Sequence, residues 1–596
     1  MSRQSRWSLL ALPAALAIVF AACTPAASPS PSGAASPSAS AASPSASTPA
    51  SGSPSAGAMA MYPEEGEVTC GTGDAPNMFN NVEYDGNLKS IEATSATEVV
   101  FTMCGPDVAF LQKVAFSVFA VNDSDWIATK AADGTIKDSL NGTGPYKLDE
   151  WRRGDSLIYS AFENYWNDEF PLVPNGVLRW ASESGARLQA LQGGNVTGIT
   201  LVGPNDYETV EGDSNLQLSL PPAGENLNTL FIGFNHNVEP WDDVNVRRAV
   251  ALAVDRQRLV DNFYPEGSEI ATHFTPCAIE FGCEGDPWFE TGTEAAREEA
   301  RNLLEQAGAT DLTTTIQYRN VFRGYLPQPP LVAQDLAEQL QEVGITATVE
   351  EQESGTFIGN ANAGSLEGIF LLGWGADYPE VTNFMDYHFG AGATSAFGDP
   401  YPEVAGPLGE GNSTVDAAAR RAAYAEANNA LQEVVPMLPA VHGAFANAWL
   451  AGAQGGLISP ISNEVMWAVQ PPSGDQVVLM QNAEPIGLYC ADETDGESLR
   501  ACEQSMEGLY SYAPGTSDVE PALATGCEPN DDASVWTCTL REGVTYHDGA
   551  TFDATDVITS YAVQWDAAHE LHKGNTGAFE YWPGLWGGFL NAPPAE

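Results

Sequence analysis

Residues 371–384 read LLGWGADYPEVTNF. An apolar run, Ile369–Leu372, ends in a glycine-flanked turn carrying Trp374, Asp377 and Tyr378. A rigid aromatic wall with one fixed charge at a strand end is pocket chemistry: rings supply contact area and the carboxylate orients a cationic group. The competing reading makes Trp374 and Tyr378 core residues and Asp377 a turn cap. The pocket reading is adopted, with Trp374, Asp377 and Tyr378 as ligand-binding residues. Other reactive groupings are sparse. There is no GxSxG, no HExxH and no phosphate-binding glycine loop. Of the seven histidines, His569 and His572 could share a helical face without a well-placed acidic ligand, and His547 belongs to a turn. With 79 acidic residues an acid/base pair of the glycosidase kind can always be drawn, but no spacing selects one. The chain reads as a binding protein and not an enzyme, with no catalytic residue, cofactor or metal expected.

Nine cysteines are present. Cys23 follows an apolar run and is treated separately. The even remainder, in a chain carrying an export signal, favours disulfides over free thiols. Neighbours pair naturally as Cys70–Cys104, Cys277–Cys283, Cys490–Cys502 and Cys527–Cys538. Zinc is the competitor and ranks below, because no CxxC occurs and no histidine pair flanks these cysteines.

Residues 1–22 carry the export signal: Arg3 and Arg6, then the apolar Leu9–Phe20, too short to span a bilayer comfortably. The following Phe20-Ala21-Ala22-Cys23 resembles a bacterial lipoprotein cleavage site, which makes Cys23 the lipid attachment point. Residues 24–59 are almost wholly Ala, Ser, Pro, Thr and Gly without charge. Such a segment cannot bury apolar surface and suits a tether, so 23–61 is read as anchor and tether. Beyond it the composition is globular and rich in aromatics, with 14 Trp, 19 Tyr and 24 Phe. The length calls for two or three lobes. The formal net charge of −55 repels nucleic acid and anionic lipid and reports habitat more than partner. The expected location is the outer face of the cell membrane.

The elements that must position these residues include one clear landmark, 535–565. Val535–Leu540 is β-branched, aromatic and apolar, so it reads as a strand. Val544–His547 resumes the strand after a turn, Asp548-Gly549 is a hairpin signal, and Asp553 caps a helix from Ala554 with Asp556 in its first turn. This stretch resembles the "LR.GV.FHDG..F.A.DV..S" segment of the solute-binding proteins that serve ABC importers, of the oligopeptide- or dipeptide-binding type. Further segments resemble the same family. These are NGTGPYKLDEW with RGDSLIYSAFENYW, SGARLQALQGG, LNTLFIGFN, PWDDVNVRRAVALAVDR, and Gln476–Gln481 followed by Asn482–Pro485, which is similar to the family's mature N-terminus. Bottom-up, Val246, Ala249, Val250 and Ala253 share one apolar helix face capped by Asp242 or Asp243. Residues 294–351 alternate helix, strand, helix, strand, a βαβ rhythm with parallel strands.

Each landmark occurs once, in rotated order, so the resemblance implies a circular permutation. It implies a mixed α/β fold of the type II periplasmic-binding-protein kind, two α/β lobes around a cleft plus a smaller β-rich subdomain. The expected division is 62–170 and 516–596 for the subdomain, 171–240 and 440–515 for lobe one, and 241–439 for lobe two. Val535–Leu540 is then expected beside Glu98–Met103 despite their distance in sequence. The resemblance also implies the function: a monomer that captures a short peptide and delivers it to an ABC permease. In peptide-binding members the aspartate matching Asp377 pairs with the ligand's α-amino group. Val381 stands where the family usually has proline. Alternatives are an oligosaccharide or nickel-chelate ligand on the same fold, or a surface-tethered hydrolase.

Overall fold

The computed structural model describes residues 60–72, 75–222, 224–390 and 393–592. The expected signal at 1–22, Cys23 and nearly all of the expected tether lie outside the described residues. Among the described residues no helix is long and apolar enough to cross a membrane.

Three large sheets organise the chain. The first has five antiparallel strands in the order 61–62, 88–95, 98–103, 535–540 and 524–529. Its middle is a junction of remote sequence: Glu98–Met103 pairs with Val535–Leu540, placing Phe101 opposite Trp536 and Val99 opposite Cys538. Both strands alternate as their sequences require, with Val99, Phe101, Met103, Trp536, Cys538 and Leu540 buried. Helix Ala554–Trp565 begins at a capping box in which Asp553 accepts from the Thr555 amide and Asp556 accepts from the Asp553 amide. It packs on this sheet, where Phe101 meets Phe110 and Tyr561 edge-on at 5.1 Å each. The described ends of the chain meet here. Tyr62 donates to Asp566 at 2.6 Å, and Asn591 donates to the same carboxylate at 3.0 Å.

The second sheet runs 216–219, 447–450, 198–199, 476–481, 175–180, 156–161 and 146–152. The third runs 269–270, 437–442, 228–233, 369–375, 313–319 and 346–352. Within the third, the strands Thr313–Arg319 and Thr346–Gln352 are parallel and joined by helix Pro329–Gln341, as the βαβ rhythm predicts. The edge strand Thr346–Gln352 is largely exposed and ends in Glu350-Glu351-Gln352, charge and polarity that discourage pairing with another chain.

Three elements differ from expectation. The hairpin 146–161, grouped above with the β-rich subdomain, is hydrogen-bonded to Asn175–Trp180 in the second sheet. Gly176 makes room there, since a Cβ would lie 2.6 Å from the Tyr146 ring. Asn228–Gly233, grouped with lobe one, is buried in the third sheet between 369–375 and 437–442, antiparallel to both. Its Gly233 takes the Phe370 ring, which a Cβ would meet at 2.3 Å. Finally, Val544–His547 forms only a single bridge, Thr545 to Thr551, because its edge is taken by the turn at 141–144. The His547 amide donates to the Gly142 carbonyl at 2.9 Å, and the Asp548 carboxylate accepts from the Asn141 side chain at 3.0 Å.

All four cysteine pairs are joined as the spacing suggests: Cys70–Cys104, Cys277–Cys283, Cys490–Cys502 and Cys527–Cys538. Cys527 and Cys538 stand directly opposite each other on neighbouring strands of the first sheet.

Candidate functional site

Strand Ile369–Gly375 lies inside the third sheet, between 228–233 and 313–319. Its interior is apolar because it is covered on both faces. The strand ends at Gly375, and helix Val381–Phe389 starts after a turn of five residues. Glu380 caps this helix, accepting from the Thr382 amide at 2.6 Å. The same carboxylate is ion-paired to Arg420, both side chains being nearly enclosed. The turn that carries Asp377 is therefore fixed at both ends.

Asn383, one turn into the helix, ties the site together. Its Oδ1 accepts from the Asp377 amide at 3.0 Å and from Trp374 Nε1 at 3.2 Å, and its Nδ2 donates to Asp377 Oδ2 at 3.0 Å. The other oxygen, Oδ1, accepts at 2.9 Å from the hydroxyl of Tyr581. Tyr581 opens helix Tyr581–Trp586, which packs with the first sheet's core, so the hydrogen bond joins two sheets' territories. Trp374 stacks on Tyr387 with centroids 4.2 Å apart and meets His388 edge-on. Among the described residues no Lys, Arg or His is ion-paired with Asp377. Burial pushes its carboxyl up to about 6, against the hydrogen bonds from Asn383 and Tyr581, which favour the ionised form. The carboxylate acts in turn on half-buried Tyr387 and buried Tyr512, whose hydroxyls are held up mainly by burial.

Asp377 and Trp374 are thus brought together, through a residue the sequence reading did not single out. Tyr378 is 2% exposed, lies within the first sheet's aromatic core, and has its hydroxyl 3.1 Å from Thr382 Oγ1. Its ring forms packing between the two regions, and no free face remains for a ligand. Tyr581 and Asn383 were the missed residues. Asn383 stands in the motif itself, six positions after Asp377, where the turn 376–380 folds back onto the first turn of the helix. Tyr581 stands in EYWPGLW, where nothing local marks it. A second buried polar group lies further along the same helix. Asp386 accepts from Asn412 Nδ2 at 2.6 Å while its Oδ1 is buried without a partner, and burial pushes it up to about 7. Lys113, buried and 2.9 Å from Asp107, eases that shift from the first sheet's side. Two concavities, of about 610 and about 100 Å3, include neither Asp377 nor Trp374, although the smaller is lined by His388, on which Trp374 packs.

A site built this way can hold a cation: a fixed carboxylate without a counter-charge, one aromatic stack beside it, and donors that orient both oxygens. Comparison with known proteins finds relatives among solute-binding proteins. A di/tripeptide-binding protein of Pseudomonas aeruginosa is 26% identical over 376 residues, covering 61% of this chain and 68% of that relative. A dipeptide-binding protein of the same species is 25% identical, covering 66% of this chain and 73% of the relative. Among solved structures, the periplasmic binding protein DppA of Helicobacter pylori, in complex with the peptide STSA, aligns with a TM-score of 0.54 at 19% identity. It covers 65% of this chain and 75% of that one. HbpA2 of Haemophilus parasuis aligns at 0.55 and 21% identity, covering 65% and 76%. These structural likenesses establish the two-lobed mixed α/β fold. The description of bacterial extracellular solute-binding proteins, family 5, matches residues 40–396 and 518–578, and the chain belongs to that family.

Proposed function

We propose that this protein captures a short peptide outside the cell and presents it to an ABC permease, with Asp377 as the counter-charge for the peptide's α-ammonium and Trp374 as the adjoining wall. The observation that carries the reading is a half-buried carboxylate with no ion pair among the described residues, oriented by Asn383 and Tyr581. An unpaired charge in such a place is costly unless it has a partner, and a ligand ammonium is the missing partner. Relatives named as peptide-binding support that choice of ligand. Transport fits a hinge: Asp377 and Tyr581 sit in different sheets' territories, and closing over the ligand brings them together. Binding, and not catalysis, is the activity. Cys23 as a lipid anchor and 24–59 as a tether would keep the protein at the membrane's outer face. We also infer that the gene order is a circular permutation, supported by the pairing of 98–103 with 535–540 and by Asp566 joining Tyr62 to Asn591.

Titration calorimetry with a free di- or tripeptide library and the matching N-acetylated peptides tests the assignment. Free peptides should bind and acetylated ones should lose most of their affinity. Equal binding of the two sets removes Asp377 from the site.

A further inference from the structure

The loop after strand Glu269–Ile270 holds a cluster unconnected with Asp377. An imidazole nitrogen of His273 and the sulfurs of Cys277 and Cys283 all lie within 4.8 Å of one another. His273 is 5% exposed, and its Nε2 is buried with no hydrogen-bond partner. Thr272 Oγ1 lies 3.2 Å from His273 Nδ1 and 3.7 Å from Cys277 Sγ, so one hydroxyl touches both members of the cluster. Such an outer contact orients a ligating ring. Cys277 is exposed, whereas both cysteines of the 490–502 and 527–538 pairs are buried. Joined as a disulfide, the two sulfurs have no thiolate to offer. Separated, they and the imidazole form a compact set of two soft donors and one borderline donor.

We propose that reduction of the Cys277–Cys283 disulfide opens a binding site for one monovalent copper ion, held by the two thiolates and the His273 imidazole. The balance is simple. A thiol-class reductant gives two electrons, the S–S bond breaks, two protons are taken up and the reductant leaves as its own disulfide. Copper(I) binding then releases both thiol protons. Thiolates select soft cations, and copper(I) is satisfied by three donors, whereas zinc would need a fourth.

The test uses the full chain, oxidised or mildly reduced with a thiol under anaerobic conditions, with copper(I) shared against a chromophoric chelator and metal counted. Reduced wild type should take up one equivalent more than the equally reduced Cys277→Ser/Cys283→Ser double variant. His273→Ala, which keeps both cysteines, should weaken that equivalent by about a hundredfold, since losing even a residue that only orients a ligand costs about 10–100-fold. The Cys277→Ser/Cys283→Ser double variant should lose it entirely. Copper taken by other reduced cysteines is common to both chains and cancels in that difference. Should the double variant fail to fold by its melting curve, His273→Ala decides alone. The proposal is overturned if reduced wild type takes up no equivalent beyond the reduced double variant, if His273→Ala binds it unchanged, or if zinc(II) binds the reduced site more tightly than copper(I).

Discussion

The third sheet is drawn from one continuous stretch, 228–442, while the first takes strands from 61–103 and from 524–540. Local rules are the same in both: alternation buries one face, and caps and turns set the ends. What differs is when the sheet can close. The third sheet gains parallel pairing after each short helical crossover. The first must bring residues more than 400 positions apart into register, so loop closure precedes most of its stabilisation. Asp377 comes from the first of these kinds of region and Tyr581 from the second, so the candidate site reports whether both have formed.

Removing residues 516–596 would break the comparison most severely. It deletes two of five strands and helix Ala554–Trp565, and exposes the Val99 and Phe101 face. The first sheet should lose its cooperative melt and its amide protection, while 313–319 and 369–375 keep theirs in hydrogen exchange. A truncated chain that melts cooperatively throughout and binds peptide would make the C-terminal segment a separate domain and remove the permutation.

Asp377→Asn comes next. Removing one partner of a buried charged pair costs about 3–5 kcal/mol, or about two to three decades of peptide affinity at about 1.4 kcal/mol each. The unliganded protein should behave otherwise. Burial holds this carboxyl at about 6, above the ordinary carboxylate range, so the fold favours its neutral form. For an acid raised in the folded state, stability is lost as pH rises from the ordinary range through about 6. The variant's melting temperature without ligand at pH 7.5 should therefore equal or exceed wild type's; a marked drop would make Asp377 structural.

Smaller again is the Cys527→Ser/Cys538→Ser pair. The bridge closes a loop of separation 11 and should contribute about 3 kcal/mol, through the unfolded chain. The loss should appear in denaturant midpoints for the first sheet and leave the third sheet's exchange protection unchanged.

Much of both regions was legible in the sequence because its signals are local. Asp553 caps its helix, the βαβ rhythm of 294–351 is present, and the cysteines join their neighbours. The misplaced elements depended on partners. The hairpin 146–161 alternates equally well in either sheet, and it is the space above Gly176 and the bond from the Tyr146 hydroxyl to the Val173 carbonyl that receive Tyr146 in the second. Strand 228–233 is apolar on both faces, which marks a central strand but not which sheet it joins. In the site, Trp374 and Asp377 were visible as types in a turn. Tyr378 has the same character, yet its ring is buried in the first sheet's core, through contacts that nothing local in the turn announces. Tyr581 was invisible because the contact it makes spans 204 positions.

Tyr581→Phe is the gentlest way to sharpen the comparison, since it removes one hydroxyl and keeps the ring in the Tyr581–Trp586 helix. The lost hydrogen bond has an ionised acceptor when a peptide ammonium is bound, and such bonds contribute about 1.5–3 kcal/mol. Part of this returns through relaxation and water, leaving a loss of about tenfold in affinity. The pH dependence separates this role from a merely structural one. Peptide binding needs the Asp377 carboxylate ionised, so affinity should be flat above about 6 and fall about tenfold per pH unit below it. The Tyr581 hydroxyl favours the ionised form, so without it the carboxyl titrates higher and the break in the affinity curve moves to higher pH. The ratio of wild-type to Tyr581→Phe affinity should therefore be constant well above the two breaks, widen as pH falls through them toward 6, and be largest below about 6. Calorimetry across that range that finds parallel curves with an unmoved break would mean that Tyr581 only fills space beside Asp377.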